Sequence, residues 1–396
     1  MEPTKTRNPG RRSSVEGVLG LLEGAWCSPR PFAEIRGSHP DEKFLEVGGR
    51  ELYVEQAGAG EPVLLLHGFC CSSFSWRHVL SGLAPRFRVI APDLPGFGFS
   101  QRPADPGAYG FPGLEGAVLG LLDRLGVESC HLVGHSFGGA LALWLTERHP
   151  GRVRSLTLVA TALPELTVER RLEWARFRLL NRLLLRTRLL LPGTIRRALE
   201  ASCHDASRVT PELVEAYRRR LLVEGLEDAY FGFLAPLDEP PPPGALEAIA
   251  PPVLIVWGDD DRVIPLDRAT AHLPRLRRSR LAVLERCGHL PMEESPEAFL
   301  DELLPFLERH RRPWRERIAA GARELLARWR APEGRAVAPV PSGPRRGDVL
   351  KRPLTPSAER RGRPRGRRAG PAASSRPRPL PSPPPPPPGR WGRRAG

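Results

Sequence analysis

Between about Phe44 and His310, short β-like runs, the later ones almost uninterrupted Val, Leu and Ile, alternate with segments of helical period. No other feature of the sequence narrows the fold as far. The runs are ELYVEQ (51–56), PVLLLHG (62–68), RVIAPD (88–93), SCHLVGHS (129–136), RSLTLVAT (154–161), PVLIVWGDD (252–260) and RLAVLERCGH (280–289). A strand with one wet face alternates apolar and polar residues, whereas a continuous apolar run reads as a strand covered on both faces. Helical segments such as 114–125 and 137–149 fall between the runs. The pattern predicts an α/β fold, a mostly parallel sheet with crossover helices on both faces, with its core at 44–161 and 246–312.

Residues 162–245 break the alternation and read as a helical insertion between two strands. They are rich in Arg and Leu and end in the Pro240–Pro243 run. Thr210, with Pro211 behind it, predicts an N-cap followed by the first helical position. Arg178, Arg182 and Arg186 share one helix face, while Leu179, Leu180, Leu183 and Leu184 occupy others. Such a stretch either lays its leucines on the domain beneath or meets a membrane surface or lipid chain. After Pro313, Trp314, Ile318, Leu325, Leu326 and Trp329 recur at helical spacing, which predicts one more amphipathic helix over 313–330. Residues 1–43 read as an N-terminal extension.

Charge is concentrated at one end. Residues 331–396 hold 16 Lys/Arg against 3 Asp/Glu, a net of +13 out of +15 for the whole chain. The remaining residues are close to neutral, so the basic character describes this tail. Its Pro/Arg-rich composition offers little to bury and predicts disorder. It is either a solvated extension or a basic arm making weak contact with an anionic membrane or nucleic acid. The six cysteines, at 27, 70, 71, 130, 203 and 287, show no metal-ligand spacing, so reduced thiols in a cytoplasmic protein are the default expectation. Glu16 and Glu23 interrupt VEGVLGLLEGAW, and no signal peptide is read there. No stretch approaches the roughly 20 uncharged apolar residues of a spanning helix, which predicts a soluble protein, at most peripheral to a membrane.

Gly134-His135-Ser136-Phe137-Gly138 fits G-x-S-x-G directly after the apolar CHLV and directly before ALALWLTERH. A tight turn alone would account for the glycines. A sharp strand-to-helix turn would also lift a serine oxygen above the sheet and aim a helix N-terminus at it. A serine hydroxyl needs a base to take its proton, and His289 lies in a loop between a last strand and a last helix. The imidazole in turn needs a buried carboxylate, for which Asp259, Asp260 and Asp261 all stand just past a buried strand. Backbone donors for an oxyanion are each worth about 2.7–4 kcal/mol. Phe69, in the turn after His67-Gly68, and Phe137 can supply them.

LLLHGF, APDLPGFGFS, GHSFGG, WGDDDRVIP and CGHLPMEESPEAF stand in the order and spacing of the α/β-hydrolase fold superfamily. Over roughly 44–310 the sequence resembles the branch of that superfamily with a helical lid. The resemblance implies an eight-stranded sheet with a lid at 162–245. It implies Ser136 as nucleophile and His289 as base. Through G-x-x-D-x-x-x-P between Gly258 and Pro265, it implies Asp261 as the acid. Phe69 and Phe137 match the oxyanion-hole positions, and Asp93 a structural aspartate. Epoxide hydrolases and haloalkane dehalogenases of this fold carry aspartate at the elbow, so serine there favours attack on a carbonyl.

The main expectation is therefore a serine hydrolase that cleaves a carboxylic ester, or a lipid-like substrate, through an acyl-enzyme on Ser136. No cofactor or metal is called for. Phe69, Phe97, Phe99 and Phe137 are expected around an apolar mouth. The alternatives are C–C bond hydrolysis, acyl transfer or perhydrolysis on the same residues, or a non-catalytic binding protein of the same fold.

Overall fold

Each apolar run of the alternation forms a strand, and the strands join into one sheet. The computed structural model describes residues 29–161, 191–234, 246–272 and 275–311. The expected Arg-rich helix face at 178–186, the Pro240–Pro243 run, the helix at 313–330 and the tail lie outside the described residues. In chain order the elements are α1 (Phe32–Gly37), β1 (Phe44–Val47), β2 (Arg50–Ala57), β3 (Pro62–Leu66), α2 (Arg77–Leu83), β4 (Arg88–Pro92), α3 (Phe111–Arg124), β5 (Cys130–His135) and α4 (Phe137–Arg148). There follow β6 (Val153–Val159), α5 (Pro192–Ser202), α6 (Pro211–Leu221), α7 (Leu226–Leu234), β7 (Val253–Gly258), α8 (Leu266–His272), β8 (Ser279–Leu284), α9 (Pro291–Glu294) and α10 (Pro296–Arg309).

The eight strands run in the order β1-β2-β4-β3-β5-β6-β7-β8. β1 and β2 pair antiparallel, as do β2 and β4, and every later pairing is parallel. The β1–β2 turn needs two residues at positive φ, which Gly48 (58°) and Gly49 (77°) supply. Glycines adopt that backbone without a Cβ clash.

Alternate residues of the central strands feed two cores. Leu64, Leu66, Leu132 and Leu156 pack with α3 and α4 through Leu114, Leu121 and Leu141. Val63, Leu65, Val133 and Leu254 pack on the opposite face with α2 and α10, through Val79, Leu83, Phe299 and Leu303. This period of two, with both faces buried, is why the strands read as continuous apolar runs.

Two boundaries differ from the sequence expectation. Helix α3 begins at Phe111 rather than 114, because Pro112 is accommodated in the first turn, where no helical N–H is needed. Residues 30–43 fold onto the core: Ile35 is fully buried beside Phe44, Tyr53, Phe99 and Val223, and Arg30 bridges to Val223.

Helices α5, α6 and α7 lie in the insertion between β6 and β7. Thr210 caps α6 as the sequence predicts, its hydroxyl accepting from the Leu213 N–H at 3.2 Å, with Pro211 in the first turn. The buried Arg102, in the loop after β4, anchors this region. Its guanidinium donates to the carbonyls of Arg220 (2.9 Å), Leu221 (3.2 Å) and Val223, and its Nε to Gly96 O (3.0 Å). Among the described residues, no helix is long and apolar enough to cross a membrane.

Candidate active site

The end of β5 sets the geometry. Ser136 has φ +50° and ψ −115°, a left-handed conformation that costs an L-residue about 1–3 kcal/mol. Its N–H is held by Val159 O of β6 at 2.8 Å, and its carbonyl accepts from the N–H groups of Gly139 (3.0 Å) and Ala140 (3.2 Å) in the first turn of α4. The glycines leave no room for side chains. A Cβ on Gly134 would lie 2.4 Å from Gly138 O, and one on Gly138 would lie 2.4 Å from both Leu66 O and His67 O.

The turn after β3 lies against the elbow, for a Cβ on Gly68 would lie 3.2 Å from the Ser136 Cβ. The two expected oxyanion donors, the N–H groups of Phe69 and Phe137, have no acceptor among the described residues. His67 and Asp93 hold this turn in place. His67 Nε2 accepts from Leu94 N–H at 3.0 Å, which leaves Nδ1 to donate to Gly68 O at 2.8 Å. Asp93 accepts from Ser73 N–H (2.6 Å) and Phe99 N–H (2.8 Å), as a structural aspartate should.

The structure separates the three acids after β7. Asp261, almost fully buried, accepts at Oδ1 from the N–H groups of Val263 (2.9 Å) and Ile264 (2.8 Å), while its Oδ2 lies 2.8 Å from His289 Nδ1. Asp259 accepts from Cys287 N–H. Asp260 pairs at the surface with His204 and Arg262. His289 reaches the elbow: its backbone oxygen is 2.8 Å from His135 Nε2, and the two rings are 4.9 Å apart. Ser136, Asp261, His289, Phe69 and Phe137 are thus gathered at the carboxyl edge of the sheet.

A serine, a histidine and a glutamate also meet away from this edge. Ser155 Oγ is 2.7 Å from His131 Nδ1, and His131 Nε2 is 3.5 Å from Glu61. Ser155 and His131 are buried, and Ser155 is an ordinary residue of β6. It lacks the strained turn that presents a nucleophile. Burial pushes the thiols of Cys70 and Cys71 up to about 12, so they stay protonated beside the Phe69 turn and do not compete as nucleophiles.

Around Phe69 the walls are aromatic. Its ring centroid lies 5.5 Å from Phe97, 6.4 Å from Phe137, and 6.2 and 5.9 Å from Tyr230 and Phe233 of α7. Sequence reasoning missed Tyr230 and Phe233, because nothing local ties an insertion helix to a turn after β3. Phe99 corrects an expectation: it packs on Tyr53 at 5.4 Å and on His39, away from this group. Gly98, at φ +54°, turns the chain between Phe97 and Phe99 and sends them to different clusters.

A carboxyl-edge site on a mostly parallel sheet, with a serine elbow and an imidazole–carboxylate pair, defines an α/β-fold hydrolase. The chain belongs to the alpha/beta hydrolase fold family, whose profile matches residues 61–296. It is similar to the 2-hydroxy-6-oxo-2,4-heptadienoate hydrolase of Pseudomonas putida (strain F1), 32% identical over 67% of this chain and 95% of that protein. It is also similar to the 2-hydroxymuconate semialdehyde hydrolase of Pseudomonas sp. (strain CF600), 31% identical over 64% of this chain and 89% of that protein. Among solved structures, a thermophilic esterase from Thermogutta terrifontis matches with a TM-score of 0.57 and 29% identity, over 68% of this chain and 98% of that one.

Proposed function

We propose that the chain is a serine hydrolase that breaks a carbon–carbon bond beside a ketone or aldehyde carbonyl, through an acyl group carried on Ser136. The observation that carries the choice of bond is the pair of relatives at 31% and 32% identity, both named for hydrolysis of 2-hydroxy-6-oxo-dienoate-type compounds. The expectation of a carboxylic ester gives way to its alternative on that evidence.

His289, oriented through Nδ1 by Asp261, takes the Ser136 proton as Oγ attacks the carbonyl. The N–H groups of Phe69 and Phe137 receive the oxyanion. Once the hydroxydienoate has ketonised, the departing electron pair runs into its unsaturated 2-oxo system, and His289 returns the proton. Water activated by the same base then frees the acid and regenerates Ser136. In this reading the insertion covers the site as a lid, α7 setting Tyr230 and Phe233 over Phe69.

One observation favours a second reading, hydrolysis of an ester with an apolar acyl group. The rings in contact with Phe69 are aromatic, and Arg102, a buried cation whose charge bears on Cys70, is spent on backbone carbonyls rather than offered to a substrate carboxylate. The test supplies the purified protein with 2-hydroxy-6-oxo-6-phenylhexa-2,4-dienoate in one arm and with p-nitrophenyl acetate and hexanoate in the other. The dienoate should be split to benzoate and 2-hydroxypenta-2,4-dienoate with the higher kcat/KM, and Ser136→Ala should lose every activity. Ester turnover without dienoate cleavage selects the second reading. Either activity surviving in Ser136→Ala overturns both.

A further inference from the structure

His135, the residue before Ser136, is fully buried and plays no part in the chemistry above. Burying an imidazole is costly where an apolar side chain would fill the same space. Its Nε2 lies 2.8 Å from the His289 carbonyl oxygen, and no other donor among the described residues reaches that carbonyl. A carbonyl only accepts, so Nε2 carries the proton. Among the described residues Nδ1 has no hydrogen-bond partner, and it faces the turn after β3, where a Cβ on Gly68 would lie 2.7 Å from it. The ring is thus wedged between the turn that carries the Phe69 N–H and the main chain of His289.

The other side of the His289 backbone is tied as well. Its N–H donates to Ser202 O, at the end of α5, at 2.7 Å. The preceding Gly288 N–H donates to Glu294 Oε1 at 2.9 Å. His135 is the tie that comes from the nucleophile's own strand. Burial holds its pKa well below the usual histidine value, and the titratable groups facing it, His289 and His67, add only like charge when protonated.

We infer that His135 is a positioning residue: as the neutral Nε2–H tautomer it holds the His289 main chain and the Gly68 turn in register with Ser136. It acts through the backbone of His289 and touches no reacting atom. The inference rests on the reading that Ser136 and His289 perform the chemistry.

Two measurements test it. In the wild-type protein, nitrogen-15 NMR of the histidine rings should show His135 protonated at Nε2 alone between pH 5 and 8. A ring protonated at Nδ1, or charged in that range, overturns the inference without recourse to any variant. His135→Leu, which removes the donor, should lower kcat on the order of 100-fold with KM unchanged, as a small misplacement of a base does. It should slow fluorophosphonate labelling of Ser136 to match. His135→Gln, whose side-chain N–H reaches a similar distance, should restore most of both. Wild-type rates in His135→Leu, a loss expressed in KM, or a Gln variant as impaired as Leu all overturn the inference. Failure of the wild-type protein to label would instead sink the assignment of Ser136, which keeps the two outcomes apart.

Discussion

Ser136 occupies a backbone conformation it would not choose alone, and its neighbours remove the alternatives. Val159 O fixes its N–H, Gly134 lets β5 approach α4, and Gly138 lets α4 approach the end of β3, within distances that any Cβ would forbid. The serine was legible in the sequence because close approach requires glycine at fixed offsets. The carboxylate proposed as the acid was less so: three consecutive aspartates look alike, and the family's spacing chose Asp261, whose contact with His289 the structure shows at 2.8 Å. Asp261→Asn should therefore cut kcat on the order of 10⁴-fold, by favouring the wrong tautomer of His289. Asp260→Asn, which disturbs only a surface pair with His204 and Arg262, should leave steady-state rates within about twofold. Equal losses in the two variants would contradict the separation of roles. His135 was not legible, because its partner is 154 positions away and is a main-chain atom.

At the scale of elements, the parallel strands were the easiest to read and the insertion the hardest. Strands covered on both faces leave an unbroken apolar signature, whereas β1 (FLEV) is short and at the edge, recognisable only once Gly48 and Gly49 are seen to close a hairpin. Within the insertion, the start of α6 was readable because capping is a local interaction. Thr210→Ala should lower stability by about 1 kcal/mol, measured as a shift in urea midpoint at unchanged m-value. No change would mean that water satisfies the Leu213 N–H equally well. Where the insertion helices dock was not readable. The contacts of Phe233 with Phe97 at 4.4 Å, and of Tyr217 with Glu293, join segments far apart in sequence. Local pattern carries no record of them.

For the molecule as a whole, two buried neutral histidines link folding to pH. Burial lowers the pKa of His67 and, further, of His135 from 6.5. The unfolded chain binds protons on these rings below about pH 6.5 and the native state does not, so stability is fully present above that pH and is lost as pH falls toward the folded values. Each ring contributes up to about 1.4 kcal/mol per pH unit over that window. Glu294, whose carboxyl is raised by burial, works in the opposite direction. Urea unfolding at pH 7.5 and 5.5 should show the wild-type protein losing stability on acidification. His135→Gln should lose less, and an identical pH dependence in the two proteins would show that folding does not lower the His135 pKa. The Ser202 carbonyl that receives the His289 N–H has a different kind of consequence, one for protein engineering. The insertion is not a detachable module. A chimera that grafts a relative's 191–234 segment onto this sheet would exchange the aromatic contacts with Phe69 and the support of the His289 main chain in a single step. Such grafts should succeed only when the donor segment brings an acceptor to the Ser202 position.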